Sequence, residues 1–215
     1  MTRRGHDRIS AAREATAFFE GLWAQSDPWD LETSDLDQRR YARQLALLAD
    51  RRYGRALELG CGAGSFTRHL ARSCDRLLAV DVAPSAVARA RELLAPMGHV
   101  ELRVGDLMEL DAEADGPWDL VVLAETAYYL GWLYPMFDVG WLAHSLHEAT
   151  MPRGRLLLVN TYGPDNGLMS RWLVDTYRDL FANAGYRVEV EETMRGPKGG
   201  VEFEILLSLM TKEPS

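Results

Sequence analysis

The chain has 215 residues, 47% of them apolar and 26% charged, with a formal net charge of −8. That length accommodates one α/β domain with a sizeable core plus a short terminal extension, and the composition excludes a disordered chain. The acidic balance opposes a nucleic-acid partner: Arg3, Arg4, Arg8 and the pairs Arg39-Arg40 and Arg51-Arg52 form no basic stripe interleaved with aromatics.

Residues 9 to 25 repeat apolar positions at helical spacing (Ala12, Ala15, Phe18, Phe19, Leu22, Trp23), and Ser26-Asp27-Pro28-Trp29-Asp30 breaks the pattern. A second helix is expected from about Leu36 to Asp50, with Tyr41, Leu45, Leu47 and Leu48 on one face. After Gly54, short apolar runs at Arg55 to Leu59, Arg76 to Val80, Val100 to Val104, Trp118 to Ala124 and Gly154 to Val159 alternate with amphipathic stretches. These stretches are Ser65 to Ser73, Ser85 to Leu94, Met136 to Ala149 and Leu168 to Ala184. Such alternation predicts a parallel sheet with crossover helices. Two final strand-like runs, Tyr186 to Glu192 and Val201 to Met210, flank the turn-rich Gly196 to Gly200 and predict a terminal hairpin. The sum is an α/β fold, a seven-stranded mostly parallel sheet with one antiparallel strand.

The two cysteines, Cys61 and Cys74, lack the spacing of a zinc site or a disulfide framework, which predicts a reduced, cytoplasmic chain. The start, Met1 to Asp7, is polar with no apolar run after it. Glu125 interrupts the most apolar stretch, so neither export nor a membrane span is expected.

The run Ala56-Leu57-Glu58-Leu59-Gly60-Cys61-Gly62-Ala63-Gly64-Ser65 places an acid late in the first strand and three alternate glycines in the turn behind it. Glycines there let backbone approach a ligand closely. Asp81 ends the next strand, where an acid can accept both ribose hydroxyls of a nucleoside. Asp106 follows the third strand, placed either to accept from an adenine amino group or to cap a helix. A dinucleotide fingerprint calls for Gly or Ala where Ser65 stands, and it does not call for Glu58.

With Glu58 two residues before Gly60, the turn resembles motif I of the Rossmann-like S-adenosyl-L-methionine (SAM)-dependent methyltransferases, and Asp81 and Asp106 match that family's next two motifs. When Ser26-Asp27-Pro28-Trp29, Arg40, Ala79-Val80-Asp81-Val82, Ala88-Arg89-Ala90-Arg91, Ala124-Glu125 and Tyr128-Tyr129-Leu130-Gly131 are added, the chain over about residues 20 to 130 resembles nodulation protein S. That family methylates an amino-sugar nitrogen of a chito-oligosaccharide.

The resemblance implies a SAM site, left as S-adenosyl-L-homocysteine after transfer, formed by Trp29, Arg40, Glu58, Gly60, Cys61, Gly62, Asp81, Val82, Asp106, Leu107 and Ala124. Gly60 to Gly64 would lie against the methionine and ribose part, Glu58 would steady the turn or the methionine amino group, and Asp106 and Leu107 would meet adenine. Trp29 and Arg40 would close over the cofactor, Arg40 on its carboxylate; alternatively Trp29 packs the first helix on the core and Arg40 is a solvated charge. Residues 1–50 would be a helical cap or lid and 51–215 the SAM-binding unit.

Methyl transfer is an in-line displacement, so acceptor groups belong past strands four and five: Glu125, Thr126, Tyr128 and Tyr129, then Asn160, Thr161 and Tyr162. Glu125 is the favoured base or amine anchor, because an acid directly after an apolar strand is poorly explained by packing. Tyr129 is placed ahead of Tyr128 as its companion. Some methyltransferases bind metal with Glu here followed by Glu-His. This chain has Tyr128-Tyr129 instead, so no metal is expected.

Trp132, Tyr134, Phe137 and Trp141 could wall a large acceptor, although Phe137 and Trp141 at helical spacing read as core. His144 and His147 read as a solvated face. The expected acceptor is a small molecule, by N-methylation of an amine on a sugar or natural-product scaffold, with O-methylation and a non-catalytic SAM-binding protein as alternatives. The expected assembly is a monomer or homodimer.

Overall fold

In the computed structural model of the chain, residues 8–163 and 170–214 are described. The polar start and the first residues of the last expected helix lie outside the described residues. Two helices lead, α1 (Arg8–Trp23) and α2 (Asp35–Leu48). There follow β1 (Tyr53–Leu59), α3 (Thr67–Leu70, continued as a 3-10 turn), β2 (Cys74–Asp81), α4 (Pro84–Leu93), β3 (Val100–Val104), α5 (Ala112–Asp115) and β4 (Trp118–Ala124). The rest is α6 (Ala127–Leu133), α7 (Met136–Ala149), β5 (Thr150–Tyr162), α8 (Arg171–Asn183), β6 (Tyr186–Lys198) and β7 (Val201–Lys212).

The seven strands form one sheet in the order β3-β2-β1-β4-β5-β7-β6, with β7 running against both neighbours. This is the expected mostly parallel sheet with one antiparallel strand. Strand order reverses direction between β1 and β4, and loops leaving those two strands part there to open a crevice at their carboxyl ends.

The period of two divides the core between the sheet faces. Leu57, Leu59, Val121, Leu123, Leu156 and Leu158 pack against α6, α7 and α8 through Leu130, Val139, Leu142, Tyr177 and Phe181. Their alternates Ala56, Leu120, Val122, Leu157 and Val159 pack against α2 and α3 through Leu36, Tyr41, Leu48 and Leu70. Glu58 shares the second parity, so the fold carries a carboxylate into an otherwise apolar layer.

Several expectations change. The buried face of α2 is Leu36, Asp37, Arg40, Tyr41, Gln44 and Leu48, a stripe containing three polar residues, while Leu45 and Leu47 are only partly buried. Residues 127–133, to which the sequence pattern assigns no element, form α6. Phe137 and Trp141 are not core: they are 81% and 58% exposed, because α7 buries Val139, Leu142, Ala143, Leu146 and Ala149 instead. His144 is exposed as expected, but His147 is partly buried, edge-on to Tyr186 with ring centroids 5.1 Å apart.

Gly131 of α6 has a packing reason. A Cβ there would stand 1.6 Å from the Tyr177 hydroxyl, which is buried and has no hydrogen-bond partner. Gly131→Ala is expected to destabilise the protein by about 1–3 kcal/mol through overpacking. Tyr177→Phe should cost nothing by itself and should reduce that penalty in the double variant; urea unfolding midpoints of the three variants provide the check.

Candidate active site

Beyond β1 the glycine turn is pinned to β2. The Gly60 and Cys61 amides donate to the Val80 carbonyl at 2.8 and 3.1 Å, and the Gly62 amide donates to Asp81 Oδ2 at 2.8 Å. Asp81 Oδ1 accepts from the Ala83 amide at 2.9 Å. Gly60 and Gly62 have φ of 80° and 53°, and a Cβ would meet Thr126 Oγ1 at 2.3 Å or the Trp23 ring at 2.7 Å respectively. Glycine is therefore required here both by dihedral and by space.

The turn forms one wall of a cavity of about 500 Å³ whose lining includes the expected cofactor residues Trp29, Arg40, Glu58, Gly60, Cys61, Gly62, Asp81, Val82, Asp106, Leu107 and Ala124 and the expected acceptor-side pair Glu125 and Tyr129. Thr126, Tyr128 and Thr161 line it too, whereas Gly64, Asn160 and Tyr162 do not. Gly64 packs on Ala90 and Leu94, and Tyr162 accepts from Arg171 Nη1 at 2.9 Å. Asp106 caps no helix: Oδ1 accepts from the Met108 amide at 2.9 Å in a turn, and Oδ2 accepts from the Tyr134 hydroxyl.

Helix α1 closes one side. Glu20 Oε1 accepts from the Ser85 amide at 2.7 Å at the start of α4, and Trp23 packs edge-to-face on Trp29 with centroids 5.3 Å apart. In the loop after α1, Glu32 accepts from Ser65 Oγ at 2.6 Å and from Arg68 Nη2 at 2.7 Å, tying that loop to the end of the glycine turn.

Arg40 is not a solvated charge, being 5% exposed. Nη2 pairs with Asp37 at 2.7 Å and Nη1 with Glu125 at 3.0 Å, while Nε has no partner. Lys198, near the tip of the β6–β7 hairpin, bonds the other oxygen of Asp37. Glu125, at φ 57° in the left-handed region, also accepts from the Tyr128 hydroxyl at 3.0 Å. Tyr128, not Tyr129, is thus the tyrosine joined to Glu125. Asp37, Gln44 and Lys198 line the same cavity and were missed from the sequence. The available signal was the spacing of 37, 40 and 44 on one face of a helix.

Glu58 is buried, and Oε2 has no hydrogen-bond partner. Burial, then the neighbouring Asp81 carboxylate, outweighs the Thr67 hydroxyl and raises its pKa to about 7. Burial also raises Asp81 against the pull of backbone amides. Neither carboxylate has an ion-pair partner among the described residues. Burial pushes the Cys61 thiol up and Cys74 to about 12, which leaves both thiols un-ionised at neutral pH. Among the described residues no cluster of three or more His, Cys, Asp or Glu could hold a metal ion, and no helix is long and apolar enough to cross a membrane.

The reversed strand order, the glycine turn and the acids at the ends of β1, β2 and β3 define a Rossmann-like fold of the methyltransferase class. The chain belongs to the nodulation protein S (NodS) family, whose pattern matches residues 13–136. Nodulation protein S of Rhizobium tropici is 40% identical over 109 residues, 50% of this chain and 45% of that protein. That of Sinorhizobium fredii is 39% identical over 135 residues, 62% of this chain and 60% of that protein. The chain spans about half the length of the curated relatives it matches. The crystal structure of the N-methyltransferase NodS from Bradyrhizobium japonicum with S-adenosyl-L-homocysteine superposes with a TM-score of 0.79 over 92% of this chain and 98% of that one, at 24% identity.

A carboxyl group raised on folding makes the protein less stable as pH rises, because between the two pKa values the native state holds a proton that the unfolded chain has released. With Glu58 at about 7 against an ordinary 4.5, stability without ligand should fall between about pH 4.5 and 7, by an amount on the order of 3 kcal/mol. Glu58→Gln should flatten that slope. Urea midpoints at pH 5 and pH 8 provide the check, and equal slopes in the two proteins would assign the titration elsewhere.

Proposed function

We propose that the chain is a cytoplasmic SAM-dependent methyltransferase that methylates an amine nitrogen of a small molecule, on an amino-sugar or natural-product scaffold. The observation that carries the cofactor assignment is the pair of buried carboxylates, Glu58 and Asp81, with no ion-pair partner beside the glycine cradle. A carboxylate with a partnerless buried oxygen fits a ligand ammonium, and the Asp81 oxygens retain lone pairs for ribose hydroxyls. The cradle at Gly60 and Gly62, where any Cβ would clash, fits close approach of ligand to backbone. SAM, when bound, supplies an electrophilic methyl group on a sulfonium.

The residues of this chain do the rest. Leu107 and the turn at Asp106 offer an adenine slot, and Phe19, Trp23 and Trp29 of residues 1–50, the proposed cap, line the same cavity. Glu125 stands at the end of β4, oriented by Arg40 and Tyr128, where it anchors the acceptor amine and receives the proton that nitrogen must lose. The net charge of −8 favours a small acceptor over nucleic acid. The family relatives named nodulation protein S, and the N-methyltransferase title of the superposed structure, support nitrogen as the methylated atom.

Isothermal titration with SAM and S-adenosyl-L-homocysteine should give binding heat for both ligands, and Asp81→Ala should weaken both by at least about tenfold. Absence of heat with the wild type would overturn the cofactor assignment. With an amine acceptor in hand, Glu125→Gln should lower kcat by roughly 10²–10⁴-fold while SAM affinity changes little, the signature of a lost proton acceptor.

A further inference from the structure

The buried stripe of α2 carries three polar side chains at i, i+3 and i+7, Asp37, Arg40 and Gln44, and all three line the cavity. A helix laid on a sheet normally fills such a stripe with apolar residues. Asp37 and Arg40 are compensated, by each other and by Lys198 and Glu125. Gln44 is not: it is 0% exposed, and neither Oε1 nor Nε2 has a hydrogen-bond partner among the described residues. Buried amides are nearly always paired, and an apolar side chain of similar size would avoid the penalty.

Helix α2 is fastened to β6 by the Lys198–Asp37 and Arg43–Glu192 ion pairs, and it shares an apolar cluster with Phe203 and Ile205. This is the β5–β7–β6 side of the sheet, opposite β2 and β3, where Asp81 and Asp106 lie. Gln44 stands one turn beyond Arg40 on that stripe and lines the cavity together with Arg40 and Glu125, the groups proposed above to hold the acceptor amine.

Resting on the methyltransferase reading above, we propose that Gln44 is a specificity-determining residue whose amide recognises a hydroxyl group of the methyl acceptor. A carboxamide offers one neutral donor group and one neutral acceptor side by side, and a hydroxyl both gives and receives a hydrogen bond. An ammonium group would instead be drawn to the carboxylates on the same wall, Asp37 and Glu125.

The test compares wild type with Gln44→Leu, using D-glucosamine and cyclohexylamine as acceptors, the second keeping a six-membered ring and an amine but no hydroxyl. The ratio of kcat/KM for D-glucosamine to that for cyclohexylamine should fall by about tenfold in Gln44→Leu, the value of one hydrogen bond, with the loss in KM. The melting temperature of the variant should not fall, because a partnerless buried amide has been replaced by an apolar side chain. A lowered melting temperature with an unchanged ratio would make Gln44 structural and overturn the proposal. Wild-type turnover of cyclohexylamine but not of D-glucosamine would also overturn it, while leaving N-methylation standing. No turnover of either amine would count against N-methylation itself and take this proposal with it.

Discussion

The guanidinium of Arg40 is the point on which the cavity depends. Buried on α2, it reaches Asp37 on its own helix and Glu125 beyond β4, and Asp37 in turn holds Lys198 from the terminal hairpin. Three parts of the chain, far apart in sequence, meet through these four charges, which sum to zero. Such a cluster contributes little net stability, because desolvation offsets most of the Coulomb gain, yet removing one member strands the others at a cost of about 3–5 kcal/mol. Its effect is geometric. Glu125 has its backbone in the left-handed region, at φ 57°, a conformation that costs on the order of 1–3 kcal/mol in a non-glycine residue and persists where surrounding bonds over-determine it. Arg40 and Tyr128 are those bonds, and they aim the carboxylate into the cavity as the chain turns from β4 into α6.

A second set of acids works differently. Asp81 and Asp106 each hold a loop at a strand end by accepting backbone amides, and Asp106 also fixes Tyr134 from the loop after α6. These carboxylates shape the cavity before any ligand enters, which lowers the ordering that binding requires. Glu58 is the exception, because its buried Oε2 has no hydrogen-bond partner among the described residues. The cavity thus has its loops tied by hydrogen bonds and holds at Glu58 a buried carboxyl with neither an ion-pair nor a hydrogen-bond partner at Oε2 among the described residues, which suits a cationic ligand.

Much of this was legible in the sequence because it rests on local signals. Strands buried on both faces read as short apolar runs, the glycine turn announces itself, and an acid closing an apolar run is conspicuous at Glu125 and Asp81. The misassigned helix faces share one physical origin, since periodicity reveals which residues share a helix face but not whether another element covers it. Phe137 and Trp141 share a face of α7 that nothing among the described residues covers, while Asp37, Arg40 and Gln44 share a face of α2 that the sheet and hairpin do cover. Polar residues in a buried stripe look solvated until the partner 161 residues away, Lys198 on Asp37, is known. Helix α6 is not legible in the sequence because seven residues, four of them aromatic or glycine, give too short a window for the helical period.

The contrast between compensated and uncompensated acids bears on chemistry. Only a neutral amine carries the lone pair that attacks a methyl group, and a bare carboxylate at the acceptor site would favour the ammonium form and so hold the nucleophile in its unreactive state. Glu125 is already paired with Arg40, which weakens its hold on an ammonium while leaving it able to accept a hydrogen bond and then the proton released on transfer. Glu58 has no such partner, as suits a group whose proposed ligand keeps its positive charge throughout the reaction. On the proposed reading, one cavity therefore treats two nitrogens oppositely: the cofactor ammonium meets an unpaired acid, and the acceptor amine meets a paired one.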